Sequence, residues 1–120
     1  MPLAHLRSRV DTNLPRVLVV DDEPMNIFAL QLMLQEFGFS CDQADGGKSA
    51  LQAVQSRVEK YLAGEARMYE LILMDYCMPD MDGPETTRRI QEIYRSNQRL
   101  QASKLPIICC CTAYTEATFM

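Results

Sequence analysis

The chain has 120 residues, 48% of them hydrophobic and 23% charged, with a formal net charge of -4, which suits one soluble globular domain and leaves no room for two. No basic run gathers to neutralise phosphates, which weighs against nucleic acid as a direct partner. No apolar stretch approaches the length of a membrane span, and residues 1–15 lack the apolar core of a secretory signal, so a cytoplasmic setting, or the cytosolic portion of a larger protein, is expected.

Residues 1–15 read as a flexible leader ending at Pro15, and residues 16–120 as the domain. The single histidine, His5, falls in the leader and reads as a solvated tail residue. Val17 to Val20 is apolar and β-branched without alternation, the pattern of a strand buried on both faces. It stops at Asp21-Asp22. Pro24 suits the first turn of a helix, where its missing N–H does no harm. Ile27, Leu30, Leu34 and Phe37 then recur at helical spacing, and Gly38 is a C-terminal stop.

Phe39 to Ala44 reads as a short second strand and Asp45-Gly46-Gly47 as a turn. Ala50, Leu51, Val54, Val58 and Leu62 mark a second helix, and Ala63 to Arg67 a polar surface linker. The third strand is Glu70 to Met74, delivering Asp75. After Gly83-Pro84 a third helix turns Ile90, Ile93 and Tyr94 inward and Arg88, Arg89, Glu92 and Arg95 outward. Ser96 to Lys104 is a polar connection. Leu105 to Ala113 then reads as a fourth buried strand ending at Thr112, and Thr115 could cap a helix beginning at Glu116. Five cysteines are present, three of them adjacent at Cys109, Cys110 and Cys111. Neighbouring strand residues face opposite ways, so the triplet cannot converge on one metal, and all five read as small buried residues in a reducing compartment.

Strands alternating with helices demand crossover connections, hence an α/β, doubly wound parallel sheet. Ligands gather in such sheets beyond the carboxyl ends of the strands. Asp21, Asp22, Asp75 and Thr112 all fall at such ends. Like charges about 4 Å apart repel by roughly 4 kcal/mol at an effective dielectric near 20, so either one acid stays protonated or a cation binds. Oxygen ligands with room for water suit Mg2+. A carboxylate beside such a metal can attack phosphorus, and a hydroxyl such as that of Thr112 could hydrogen-bond a phosphoryl oxygen. Capping would explain Asp22 or Thr112 singly, but three strand ends together favour a site. No glycine-rich nucleotide loop is present.

VLVVDDEPMN, LILMDYCMPDMDG and PIICCCTA, in this order, resemble the receiver domain of two-component response regulators and hybrid histidine kinases, from about Arg16 to the end of the chain. The resemblance implies a flavodoxin-like fold. It implies that Asp75 is the phosphoacceptor, charged from a histidine kinase or histidine phosphotransfer protein. It implies that Asp21, Asp22, Asp75 and the backbone carbonyl of Cys77 hold Mg2+, and that Thr112 is the switch hydroxyl. Ala113 would leave access to the phosphoryl group, and Cys77 and Tyr114 would tune its lifetime. The domain would be a signalling acceptor rather than an enzyme.

Two departures from that pattern stand out. Residues 59–68 look longer than usual and should form a surface insertion. The chain also stops after the fourth strand, so the fold should be incomplete, without the fifth strand, its lysine or the fifth helix. Lys104 precedes the fourth strand and cannot replace that lysine. The chain is then expected to be a piece of a longer protein or a truncated product, exposing the edge of the fourth strand and prone to associate. Two alternatives stay open: a degenerate receiver serving only as an interaction module, and a Mg2+-dependent aspartyl phosphohydrolase.

Overall fold

Four apolar runs become four parallel strands, β1 (Val17–Val20), β2 (Cys41–Ala44), β3 (Leu71–Asp75) and β4 (Ile107–Cys111), in a computed structural model that describes residues 14–100 and 105–111. Their order across the sheet is β2-β1-β3-β4. The helices α1 (Pro24–Glu36), α2 (Gly47–Leu62) and α3 (Gly83–Ser96) supply the crossovers, and a short 3-10 turn, Gln98–Leu100, follows α3. The leader up to residue 13 and the cap expected at Thr115 lie outside the described residues.

Strand alternation sorts the core into two layers. Leu18, Val20, Ile72 and Met74 point to one face and pack with Ala50, Val54 and Val58 of α2 and Ile90 and Tyr94 of α3. Val17 and Val19 point to the other, where Ile27, Leu30 and Leu34 of α1 cover them together with Leu71 and Leu73. Helices on both faces make the sheet doubly wound, in the flavodoxin-like order. Leu18, Ile72 and Ile90 have no exposed surface, and each such side chain contributes about 1.5–3 kcal/mol of apolar burial.

Helix ends follow local chemistry. Gly38 and Gly64 take positive φ, 83° and 75°, a conformation that glycine adopts without strain. Each closes its helix the same way: Gly38 and Phe39 donate to the carbonyls of Gln35 and Leu34, and Gly64 and Glu65 to those of Tyr61 and Lys60. Asp82 caps α3 by accepting from the Glu85 amide at 2.8 Å.

Four details depart from the sequence reading. The second strand starts at Cys41 rather than Phe39, because Phe39 is spent closing α1. Phe37 follows the last residue of α1, and its side chain is 76% exposed rather than inward. Residues 59–68 are not a surface insertion throughout: α2 continues to Leu62, and Ala66 and Met68 are buried, Met68 within the larger core cluster. The fourth strand is largely exposed, with Ile107 at 68%. It pairs with β3 on one side, and no described element covers its outer edge or its α1-side face. With that strand, Cys109, Cys110 and Cys111 are exposed free thiols rather than the buried residues expected, as is Cys77, while Cys41 is half-buried. Cys110 approaches the Thr87 hydroxyl of α3 at 4.0 Å.

Candidate functional site

The register of the sheet brings the acids together. Val20 pairs with Met74 across β1 and β3, so the next residue on each strand, Asp21 and Asp75, falls at the same rung. These two strands are neighbours at the centre of the order, where the chain turns to one face and then the other. Asp21, Asp22 and Asp75 each offer a carboxylate oxygen within 4.8 Å of the others. Asp21 is buried, Asp75 half-buried and Asp22 exposed, so the cluster opens from the sheet to solvent.

Local bonds fix each acid. The Asp21 amide donates to the Ala44 carbonyl of β2 at 3.1 Å, and its Oδ1 accepts from the Glu23 amide at 2.9 Å. Asp75 ends β3, and the Tyr76 amide continues the ladder onto the Cys111 carbonyl at 2.7 Å. A Cβ on Gly83 would strike the Asp75 carbonyl, so the glycine lets α3 start directly beneath the acid. Its amide closes the loop by donating to the Tyr76 carbonyl at 2.8 Å.

Burial first, then the charge of Asp21 and the hydrogen bond and charge of Asp22, push the Asp75 carboxyl up to about 6, while the Cys77 amide pulls it down. Three carboxylates at this spacing repel by roughly 3–4 kcal/mol per pair at an effective dielectric near 20. A hard divalent cation relieves that repulsion, and an all-oxygen donor set suits Mg2+ rather than a thiophilic metal.

Of the residues singled out in the sequence, Asp21, Asp22 and Asp75 meet at one point. Cys77 is exposed in the β3–α3 loop, with its amide toward Asp75. Thr112, Ala113, Tyr114 and Lys104 lie outside the described residues. The sequence reading missed Asp80, which reaches from the same loop to the start of α2, where its Oδ1 and Oδ2 accept from the amides of Gly47 and Lys48 at 3.1 and 3.0 Å. The paired glycines Gly46-Gly47 were its signal, read only as a turn.

The family model for the response regulator receiver domain matches residues 17–120. Histidine kinase 5 of Arabidopsis thaliana is 35% identical over 81 residues, which is 68% of this chain and 8% of that protein. Sensor protein GacS of Pseudomonas syringae pv. syringae is 35% identical over 94 residues, 78% of this chain and 9% of that protein. The chain thus spans less than a tenth of these relatives. Among solved structures, the receiver domain of the histidine kinase CKI1 from Arabidopsis thaliana, complexed with Mg2+ and BeF3-, superposes with a TM-score of 0.71 at 30% identity, covering 82% of this chain and 65% of that one.

Proposed function

The chain belongs to the response regulator receiver domain family, and from that premise we propose that Asp75 accepts a phosphoryl group from a phosphohistidine on a histidine kinase or histidine phosphotransfer protein. The observation that carries this reading is the meeting of the Asp21, Asp22 and Asp75 carboxylates within 4.8 Å at the strand ends. Asp21, Asp22, Asp75 and the Cys77 carbonyl would hold Mg2+, the cation with which the CKI1 receiver domain was solved. Bound there, the ion supplies positive charge to the oxygens of a transferring phosphoryl group.

The chemistry of the chain itself is simple. An Asp75 oxygen attacks phosphorus, an O–P bond forms, and the P–N bond breaks with its electron pair passing to the imidazole. The attacking acid must be ionised. With its titration raised to about 6, Asp75 is still mostly ionised at pH 7. Asp21 and Asp22 hold the cation and are not themselves acceptors. Thr112 would hydrogen-bond a phosphoryl oxygen and carry the change into its loop.

The donor needs a surface beside the acids. Helix α1 begins two residues after Asp22 and exposes Met25, Phe28 and Leu32. They fall on the side of the helix opposite Ile27 and Leu34. Exposed apolar residues grouped at the mouth of a site favour a protein donor over a free metabolite. No described helix is long and apolar enough to cross a membrane, and we place the domain in the cytoplasm. The test is incubation with phosphoramidate and Mg2+, followed by intact mass spectrometry. The expected result is a gain of one phosphoryl group, abolished by EDTA and by Asp75→Asn. An unchanged gain in Asp75→Asn would overturn the assignment.

A further inference from the structure

We propose that Asp80 is a positioning residue for the acceptor site. It seats the β3–α3 loop on the first turn of α2, so that the Cys77 backbone is held against Asp75 and the site and the start of α2 move as one body. The inference rests on the acceptor reading for its purpose, though not for its geometry.

The loop from Tyr76 to Asp82 must leave Asp75, shape the mouth of the site and return to α3. Its two ends are tied by the Tyr76 and Gly83 amides. Its middle is held by Met78, buried in the core cluster, and by Asp80. Burial of Met78 is non-directional. The two Asp80 bonds are directional and charge-assisted, and they set where the loop stops along α2.

This contact is not local capping. Ser49 already serves the preceding amides, its hydroxyl oxygen accepting from Asp45 and Gly46 at 3.0 and 3.2 Å. Asp80 takes the next two, Gly47 and Lys48, from a separation of 33 and 32 residues. Those amides carry the positive end of the helix dipole, which favours a carboxylate there. They hold the Asp80 carboxyl below the usual carboxylate range, the Lys48 amide first.

The sequence has made room for the contact. A Cβ on Gly46 would sit 2.9 Å from Asp80 Oδ1, and one on Gly47 would sit 2.5 Å from Thr86 Oγ1 and 2.7 Å from Met81 Cβ. Gly46 has an extended φ of 179° that any residue adopts, so space rather than backbone freedom explains it. Thr86 is fully buried and donates to the Asp82 carbonyl at 2.8 Å. The loop, α2 and α3 therefore meet at one tight joint. A change at Cys77 on occupation of the site has a direct route through Asp80 to α2.

The experiment is amide hydrogen exchange on the metal-free chain for wild type, Asp80→Ala, Asp80→Asn and Gly46→Ala, followed by Mg2+ titration of each. Asp80→Ala is expected to speed exchange about tenfold at Gly47 and Lys48, and also at Cys77 and Gly83, which do not bond Asp80. Asp80→Asn keeps one acceptor oxygen for two donor amides and should restore protection at only one of Gly47 and Lys48, with an intermediate effect at Cys77 and Gly83. Gly46→Ala pushes the Asp80 carboxylate from the other side and should reproduce the Asp80→Ala pattern, which covers the case in which that variant fails to fold. Unaltered exchange in Leu18 and Val19 reports the intact sheet. Faster exchange confined to Gly47 and Lys48 would make Asp80 a helix cap alone and overturn the proposal. The titration judges the other reading separately. Wild type that binds no Mg2+ removes the acceptor function, while the exchange at Cys77 still decides what Asp80 does. Where wild type binds, Asp80→Ala should bind about tenfold more weakly, and affinity within twofold of wild type would contradict the positioning role.

Discussion

Asp75 holds its proton to higher pH than an ordinary carboxyl because half-burial and two neighbouring carboxylates penalise its charge. The consequence for stability has a definite sign. A carboxyl raised from 3.8 to about 6 in the folded state binds more protons folded than unfolded between those values. Stability from this group is therefore greatest at low pH and is lost as pH rises through about 6. Asp75→Asn removes the penalty, so the metal-free variant should melt above wild type at pH 7, with the gain shrinking toward pH 4. A lower melting temperature at pH 7 would show that the cluster is not strained. The three acids were legible in the sequence because each follows an apolar run, and the ends of parallel strands share one edge. Asp80 was not, because its partners lie at a separation of 33 and 32 residues and nothing local fixes the loop.

At the scale of elements, all four strands and three helices could be read from apolar runs and helical spacing, since burial on both faces of a parallel sheet leaves that pattern. The errors share a cause. Periodicity marks an apolar residue without saying whether anything covers it. Phe37, Ile107, Cys109 and Cys111 matched buried patterns and are exposed, because no described element covers the α1-side face of β4 or the end of α1, whereas Ile108 on the other face packs against the core. The reverse holds for residues 59–68. Their polar composition hides Ala66 and Met68, which are buried on either side of Arg67, whose carbonyl Arg57 holds. Arg57 is 4% exposed and donates to the carbonyls of Pro15 and Arg67 and to the Asp42 carboxylate, at 2.7, 3.2 and 3.0 Å. It also stacks 4.2 Å from the ring centre of Tyr69, whose hydroxyl donates to Asp42. One side chain thus ties α2 to β2 and to the chain entering β1 and β3. Arg57→Met should cost about 2–4 kcal/mol in urea unfolding, since it strands several acceptors at once. A loss under about 1 kcal/mol would mean that the carbonyls find other partners.

The whole molecule divides into two poles. Arg57 fastens the ends where strands β1 and β3 begin, and the opposite pole, where they finish, carries the acids. This separation lets the sheet hold strain at one end without loosening the other. For the second pole we propose that, of three clustered carboxylates, the one at the end of β3 takes the phosphoryl group while Asp21 and Asp22 help to hold Mg2+. The most direct measurement is to treat the chain with phosphoramidate and Mg2+, reduce it at once with borohydride, and locate the modified residue by peptide sequencing. Reduction of an aspartyl phosphate leaves homoserine at the acceptor. Homoserine is expected at position 75 alone, dependent on Mg2+ and lost with Asp22→Asn. Homoserine at position 21 or 22, or none at any position under Mg2+, would contradict it.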